Sequence, residues 1–254
     1  MSNTKNLKIG IIGAGNMGKH LARKLAQAGH DVKVANSRGP ETIDADVLEF
    51  GARAVTKTEA VEGVEVVILS TPFDCIPDFA PLLAGAPEET VVIDTSNYYP
   101  SNGRIDDLDA GQVDSLWVVE QLGRPIAKAW NSIFTISLET LGTTKGDPNR
   151  IALPVSADRE TDREVALALV EDTGFDAFFA GSLAESWRQQ PGAPVYCTDP
   201  TLAEIPDAIA SANRERVPKR RDLVVAVLAE RFGDMSEQNS DPTYFRRLSR
   251  VICW

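Results

Sequence analysis

The chain is poor in the residues from which metal centres and disulfide frameworks are built. Its 254 residues include three cysteines, Cys75, Cys197 and Cys253, and two histidines. These cysteines share no metal-ligand spacing and cannot form a complete disulfide set, so no metal is expected and a reducing cytoplasm is. Positive charge is scarce as well: 26 Lys and Arg stand against 37 Asp and Glu, a net charge of -11. Nucleic acids and anionic membranes both require basic patches, so neither is an expected partner. No apolar run approaches the length of a membrane span, and the polar start from Met1 to Asn6 leads straight into an apolar strand with no room for a signal peptide. Internal repeats, low-complexity tracts and long linkers are also missing. What remains, 43% hydrophobic and 25% charged, is the composition of a soluble globular protein. The length suits one large domain, or a nucleotide-binding domain with a smaller companion.

Against this background the stretch from Leu7 to Gly29 stands out. Lys8-Ile9-Gly10-Ile11-Ile12 reads as a buried strand, Gly13-Ala14-Gly15-Asn16-Met17-Gly18 follows at once, and Lys19 to Ala28 is helical, with Met17, Leu21, Leu25 and Ala28 at helical spacing. Strand, G-x-G-x-x-G and helix in succession form the dinucleotide fingerprint. Gly13 permits the tight turn, Gly15 lets the backbone approach a pyrophosphate, and Gly18 lets the helix lie close on the strand. The first-turn N–H groups have no intrahelical partners and would face the phosphates.

The cofactor's adenosine end is read by the residues after the second strand, Val32-Lys33-Val34-Ala35. An acid there would accept the ribose 2′-hydroxyl of NAD. This chain instead reads Asn36-Ser37-Arg38, with no acid before Glu41. A hydroxyl beside a guanidinium suits a 2′-phosphate, because arginine offers a planar fork of donors. NADP(H) is therefore the expected cofactor.

Strand and helix patterns alternate along the following residues. Pro40 to Phe50 reads as a helix, Ala52–Val55 as a third strand, Thr58 to Glu62 as a brief helix and Val64–Leu69 as a strong fourth strand ending in Ser70-Thr71-Pro72-Phe73. Ile76 to Leu83 is helical in pattern, Thr90–Asp94 is a fifth strand ending in the polar Thr95-Ser96-Asn97-Tyr98-Tyr99-Pro100, and Asp114 to Leu122 is a helix. Pro125 to Asn131 reads as a sixth strand that brings Trp130 and Asn131 to the same rim. This order predicts an α/β fold, a Rossmann doubly wound parallel sheet over residues 1–140, with ligands at the carboxyl ends of its strands. Residues 141–254 form a smaller carboxyl-terminal α+β and helical part for substrate binding and dimerisation. In it, Ile151–Val155 is strand-like, with Pro154 arguing against a central position. Asp158 to Gly174 is a helix, Phe175 to Ala180 a strand, and Gly181-Ser182-Leu183 turns into a helix through Arg188. Thr201 to Arg216 and Lys219 to Phe232 read as amphipathic helices, the second with Leu223, Val224, Val227, Leu228 and Phe232 on one side. From Gly233 the tail is polar until the apolar Val251-Ile252-Cys253-Trp254, which would dock on the body or on a second subunit.

With these motifs in place, the chain resembles the NADPH-dependent coenzyme F420 reductases (F420:NADP oxidoreductases). The matching segments are Ile11–Gly18, Asn36-Ser37-Arg38, Val67–Phe73, Val92–Pro100 and Ala127–Asn131, and the resemblance extends over roughly residues 7 to 190. It implies NADPH laid across the sheet edge, exchanging hydride with a second substrate stacked on the nicotinamide, F420 or a flavin among them. It further implies cofactor contacts from Gly13, Gly15, Asn16, Met17, Gly18, Ser37, Arg38, Ser70, Thr71 and Pro72, with Asn131 beside the nicotinamide, and a homodimer. The chain departs from the family pattern where Gly181 to Gly192 replaces a Gly-Pro-Leu segment, and in its extension by some sixty residues. Both changes fall on the side expected to hold the second substrate.

No catalytic residue is assigned. A flavin or deazaflavin acceptor needs little acid–base machinery, whereas a carbonyl or imine needs a positioned proton donor. His20 and His30 read as structural or exposed. Lys128 and Asn131 have the Lys-x-x-Asn spacing of β-hydroxyacid dehydrogenases, but on a strand they point to opposite faces, so Lys128 is set aside as a general acid. Tyr98, Glu185 and Arg188 remain candidates, and Trp187, Arg188, Gln189 and Gln190 are the cluster placed to shape the second site. Three readings follow: an NADPH-dependent oxidoreductase working on a planar acceptor, an NADPH-dependent reductase of a small carbonyl or imine, and a non-catalytic NADP(H)-binding regulator.

Overall fold

Period-two alternation in the central strands assigns each side chain to one of two buried faces. The computed structural model describes residues 6–233 and 242–254. Among them an eight-stranded sheet runs in the order β3-β2-β1-β4-β5-β6-β7-β8. The strands are β1 (Lys8–Ile12), β2 (Asp31–Ala35), β3 (Arg53–Ala54), β4 (Val66–Leu69), β5 (Val91–Asp94), β6 (Ala127–Lys128), β7 (Ala152–Ala157) and β8 (Asp176–Gly181). The helices are α1 (Asn16–Gln27), α2 (Lys57–Val61), α3 (Ala80–Leu83), α4 (Asp106–Asp109), α5 (Asp114–Leu122), α6 (Thr135–Thr140), α7 (Glu160–Asp172), α8 (Ile205–Ala210), α9 (Val217–Phe232) and α10 (Pro242–Cys253).

Ile9, Ile11, Val32, Val34, Ile68 and Ile93 pack with Leu21 and Leu25 of α1 and Leu169 of α7 on one face. Ile12, Ala35, Val67, Leu69 and Val92 pack with Ala60, Leu83 and Val118 on the other. Helices thus cover both faces, as a doubly wound sheet requires. Strands β1 to β6 are parallel; β7 runs antiparallel to β6 and parallel to β8. The sheet therefore continues past residue 140 with reversed direction. Mostly parallel and doubly wound, it has the expected fold class, with the carboxyl-terminal helices packed beyond it.

Several local expectations are corrected. Residues 40–50 form not a helix but two 3-10 turns, Pro40–Thr42 and Ala45–Leu48, separated by extended Ile43 and Asp44. Gly39, Thr42, Ile43, Asp44 and Val47 all favour non-helical backbone, and only Ile43 and Val47 are drawn into the core. The 76–83 stretch begins as a 3-10 helix over Phe73–Phe79, with Pro77 inside it, before α3. Ala28 is exposed, and Ala26 takes its place under α1. The sixth strand shrinks to β6 because Trp130 adopts a left-handed φ of 55°. That turn sends the indole into the core, fully buried with Nε1 donating to Thr173 Oγ1 at 3.1 Å, and not to the rim.

Pro154 does occupy a strand flanked on both sides. Pairing of β7 with β6 is confined to Ala157 and Ser156, and Ala152, on the same side as Pro154, donates to Pro200 O instead of to a strand. The missing N–H of Pro154 thus falls where no ladder runs, which is how a sheet tolerates proline. The expected helix over 201–216 contracts to α8. The expected helix through Arg188 is present, as a 3-10 helix over Leu183–Gln189. Leu223 on α9 is 52% exposed, outside the apolar stripe expected of it. The tail docks on the body through Phe245, Ser249 and Cys253 of α10, while Val251 and Trp254 stay exposed. Residues 1–5 and 234–241, parts of the polar start and of the polar tail, lie outside the described residues.

Candidate active site at the carboxyl edge of the sheet

The parallel strands β1, β4, β5 and β6 deliver their following loops to one edge, where a cleft of about 320 Å³ opens. Its first wall is formed by Gly15, Asn16 and Met17 from the turn after β1, and Ser70 and Thr71 from the end of β4. Gly13 sits at φ 108°, where a Cβ would meet Ser70 O at 2.0 Å. A Cβ on Gly18 would lie 1.8 Å from Gly13 O, so only glycine lets α1 start this close to the strand. Gly15 differs, since a Cβ there would meet nothing within 4 Å; its face is open and belongs to the cleft. Helix α1 begins at Gly15 with no side-chain cap and no acid in its first turn. Its unpaired N–H groups and positive dipole end are thus free for an anion. Thr71 Oγ1 is buried beside them without a hydrogen-bond partner among the described residues. An orphaned hydroxyl in a cleft of this kind fits a polar cofactor group, so the residues present suit a dinucleotide pyrophosphate.

The end of β2 is tied to the same turn, Gly13 N donating to Ala35 O at 2.8 Å. Asn36 Oδ1 accepts from the backbone N–H of Arg38 at 3.0 Å and of Gly39 at 2.9 Å, and Asn36 Nδ2 donates to Thr42 Oγ1 at 2.7 Å. These bonds hold Ser37 and Arg38 as an exposed turn. The Arg38 guanidinium has no ion-pair partner among the described residues. It is available to a phosphate at the adenosine end.

The opposite wall is made of buried side chains. Lys128 and Asp94, 1% and 0% exposed, form an ion pair at 2.6 Å, and Lys128 Nζ also donates to Ser96 O at 2.5 Å. Ser96 in turn donates from its N–H (2.9 Å) and Oγ (2.6 Å) to Asp94 Oδ1. This lattice fixes the 95–97 loop. Asn131, 2% exposed, donates to Asn97 Oδ1 at 3.0 Å and to Gln189 O at 2.9 Å, and accepts from Gln189 Nε2 at 2.9 Å. Gln189 is held by Ser156, whose Oγ donates to its Oε1 at 2.8 Å. Asn97 Nδ2 donates to Asn131 O at 2.8 Å and reaches Tyr196 Oη at 3.4 Å, and Tyr196 Oη shares a 2.8 Å hydrogen bond with Tyr99 Oη. Burial raises the pKa of both phenols, so both are protonated at neutral pH.

Most of the expected site residues are gathered by this arrangement. Gly15, Asn16, Met17, Ser70, Thr71 and Asn131 line the cleft, Gly13 and Gly18 shape its turn, and Ser37 and Arg38 stand at the end of the neighbouring strand. Pro72 is exposed and outside the lining. Lys128 is committed to Asp94 and cannot reach a ligand in the cleft. Tyr98 Oη donates to Asp109 at 2.8 Å and accepts from Ile105 N–H at 3.1 Å, which leaves it structural. Glu185 and Arg188 pair with each other at 2.8 Å away from the cleft. Trp187 packs with Val113 and Val217, and Gln190 lies beside it in a separate crevice; of that cluster only Gln189 supports the cleft wall. Both histidines are buried and structural, His30 accepting from Leu7 N–H at 3.2 Å and bonded to Asp172 at 3.2 Å. Tyr196 and Cys197, which line the cleft, carry no sequence signal; they reach it only through the packing of 189–197 against β6.

The residues of the first wall fall in a stretch that is similar to a known family. Residues 8–98 match the family described as NADP oxidoreductase, coenzyme F420-dependent. A 78-residue stretch is 44% identical to the Escherichia coli (strain K12) protein YjhV, covering 29% of this chain and 57% of that protein, so the match spans little more than half of this curated relative. The solved hypothetical protein SMa0349 from Sinorhizobium meliloti superposes with a TM-score of 0.65 at 28% identity, covering 76% of this chain and 93% of its own. The Mycobacterium tuberculosis 3-hydroxyisobutyrate dehydrogenase, at 18% identity and a TM-score of 0.53, covers 94% of this chain and 77% of its own. At that identity it shows the fold alone. The domain resemblance read from Ile11–Gly18, Asn36–Arg38 and Val67–Phe73 lies within the matched residues.

Proposed function

We propose that the protein is an NADPH-dependent oxidoreductase that transfers hydride between NADP(H) and a second substrate bound over the nicotinamide. The observation that carries this reading is the glycine turn with open N–H groups at α1, joined through Gly13 and Ala35 to a turn that presents an unpaired Arg38. In this reading Gly13, Gly15, Asn16, Met17 and Gly18 hold the pyrophosphate, Ser37 and Arg38 the 2′-phosphate, and Ser70, Thr71 and Asn131 the nicotinamide end. Pro72 is left without a contact. Bound NADPH supplies the hydride. The chain's own part is to orient the ring against Thr71 and Asn131 and to keep that wall rigid through the Lys128–Asp94 pair.

Two acceptors are supported to different degrees. A deazaflavin or flavin is the acceptor suggested by the matched family's name. A small carbonyl or imine is favoured by the Tyr196 hydroxyl at the cleft, a proton donor for which a flavin-type acceptor has little need. The non-catalytic reading has no observation in its favour. The same reading assigns nucleotide binding to residues 1–140 and the substrate wall to 141–254. It takes the exposed Val251 and Trp254 as cover for a second copy in a homodimer, and the cytoplasm as the site of action.

The test is Arg38→Ala. Calorimetry is expected to show NADPH affinity falling about tenfold or more, as loss of a charge-assisted hydrogen bond implies, with NADH affinity unchanged. Equal losses for both cofactors would overturn the assignment.

A further inference from the structure

Next to the cleft lies a second cavity, of about 290 Å³, and Phe134, Tyr196 and Cys197 line both. Its far side is apolar, made by Val224, Val225 and Leu228 of α9 and Phe245 of α10. These helices belong to the carboxyl-terminal extension, whose role the sequence leaves unassigned. The volume is about twice that of the 150 Å³ apolar cavity known to admit benzene, so one ring with a short substituent fits.

Hydrogen-bond accounting places a donor where the two spaces meet. Asn97 Oδ1 is occupied by Asn131 Nδ2, which fixes the Asn97 amide so that its Nδ2 donates toward Tyr196 Oη on the cleft side. Tyr99 lines the second cavity, and its hydroxyl is 2.8 Å from the same oxygen. With Tyr99 as the donor, Tyr196 Oη accepts from both Tyr99 and Asn97.

We propose that the second substrate is a small, largely apolar carbonyl or imine seated in this cavity, with Tyr196 as its proton donor. The inference rests on the NADP(H) reading above and deepens the carbonyl arm of it. Hydride from the reduced nicotinamide forms a C–H bond at the carbonyl carbon, and the π pair of the C=O bond moves to oxygen. That oxygen takes the proton of Tyr196 Oη, the cofactor leaves oxidised, and a solvent proton restores the phenol. Because an alkoxide is a stronger base than a phenolate, the transfer runs downhill even from a phenol of raised pKa. For an imine, nitrogen takes the place of oxygen.

Acetophenone serves as the probe, with the full chain. Calorimetry in the presence of NADP⁺ is expected to detect acetophenone binding, and Val225→Trp, which fills the cavity, to weaken it about tenfold or more without altering NADPH affinity. Val224→Phe, a smaller filling, replaces it if the tryptophan variant no longer binds NADPH. Tyr196→Phe is expected to keep both affinities and lower kcat for acetophenone about 100-fold. Acetophenone binding that ignores both fillings, a Tyr196→Phe enzyme of full activity, or reduction of F420 by a chain that neither binds nor reduces acetophenone would each overturn the proposal while leaving the NADP(H) reading intact. Absence of NADPH binding by the unaltered chain would instead defeat that earlier reading.

Discussion

The turn after β1 brings an uncapped helix start to one side of the cleft, whereas 94–97, 128–131, 189 and 196 hold the other with buried, hydrogen-bonded side chains. The first wall joins the turn after β1 to the end of β4, and its close approach depends on missing side chains: a Cβ added to Gly13 or Gly18 would lie 2.0 Å or 1.8 Å from a carbonyl oxygen, and the helix starts without a cap. The second wall joins residues 32 to 99 positions apart through a charge pair and a chain of amides and phenols. A backbone wall is cheap to keep rigid and unselective beyond phosphate geometry. A side-chain wall carries desolvation costs, and it is where specificity is decided.

The sharpest way to break this comparison is Lys128→Met. Asp94 is fully buried, so removing its partner leaves an uncompensated charge, and urea denaturation at pH 7 is expected to show a loss of about 3–5 kcal/mol. A loss below about 1 kcal/mol would mean that the second wall does not depend on the pair. Next comes pH. Asp114 is 5% exposed and its pKa is raised to about 6, chiefly by burial, with Lys128 opposing. A carboxyl whose folded pKa lies above its unfolded value favours folding most when protonated. Its contribution is complete below about pH 4 and is lost as pH rises through 6. Asp114→Asn is therefore expected to flatten the stability profile between about pH 4 and 6 and to exceed the parent by at most about 3 kcal/mol at pH 7. Identical profiles would remove Asp114 from the account. The smallest effect on folding belongs to the backbone wall. Gly15→Ala has open space for its Cβ, so stability should stay within about 0.5 kcal/mol. NADPH affinity should nonetheless fall about tenfold, because the methyl group occupies the space the pyrophosphate needs. Unchanged affinity would place the phosphates elsewhere.

The legible part of the fold follows the same division. β1, β2, β4 and β5 lie within two residues of where their apolar runs put them, because buried parallel strands need uninterrupted Val, Ile and Leu. α5 matches its pattern residue for residue, ended by Gly123 at φ 63°. The 40–50 segment misled because Ile43 and Val47 have helical spacing but sit among residues that favour extended backbone. Pro154 misled because its strand is flanked by a partner two residues long. In the candidate site, Gly13 to Gly18, Ser70, Thr71 and Asn131 were readable from motif and strand-end position. Gln189 was readable only as a member of a polar cluster, three of whose residues face elsewhere. Tyr196 was not readable at all, since nothing near it in sequence marks a hydroxyl that meets Asn97.

By itself the sequence determined the sheet's central strands, the glycine turn before α1 and the basic residue at the end of β2, all of them properties of short continuous stretches. Tertiary structure alone decided that Lys128 is a strut paired with Asp94, that Trp130 turns inward, and that Tyr196 lines two cavities. Those outcomes depend on which distant groups share a buried volume, and burial, unlike hydrophobic periodicity or a glycine's missing Cβ, is not a local property of the chain.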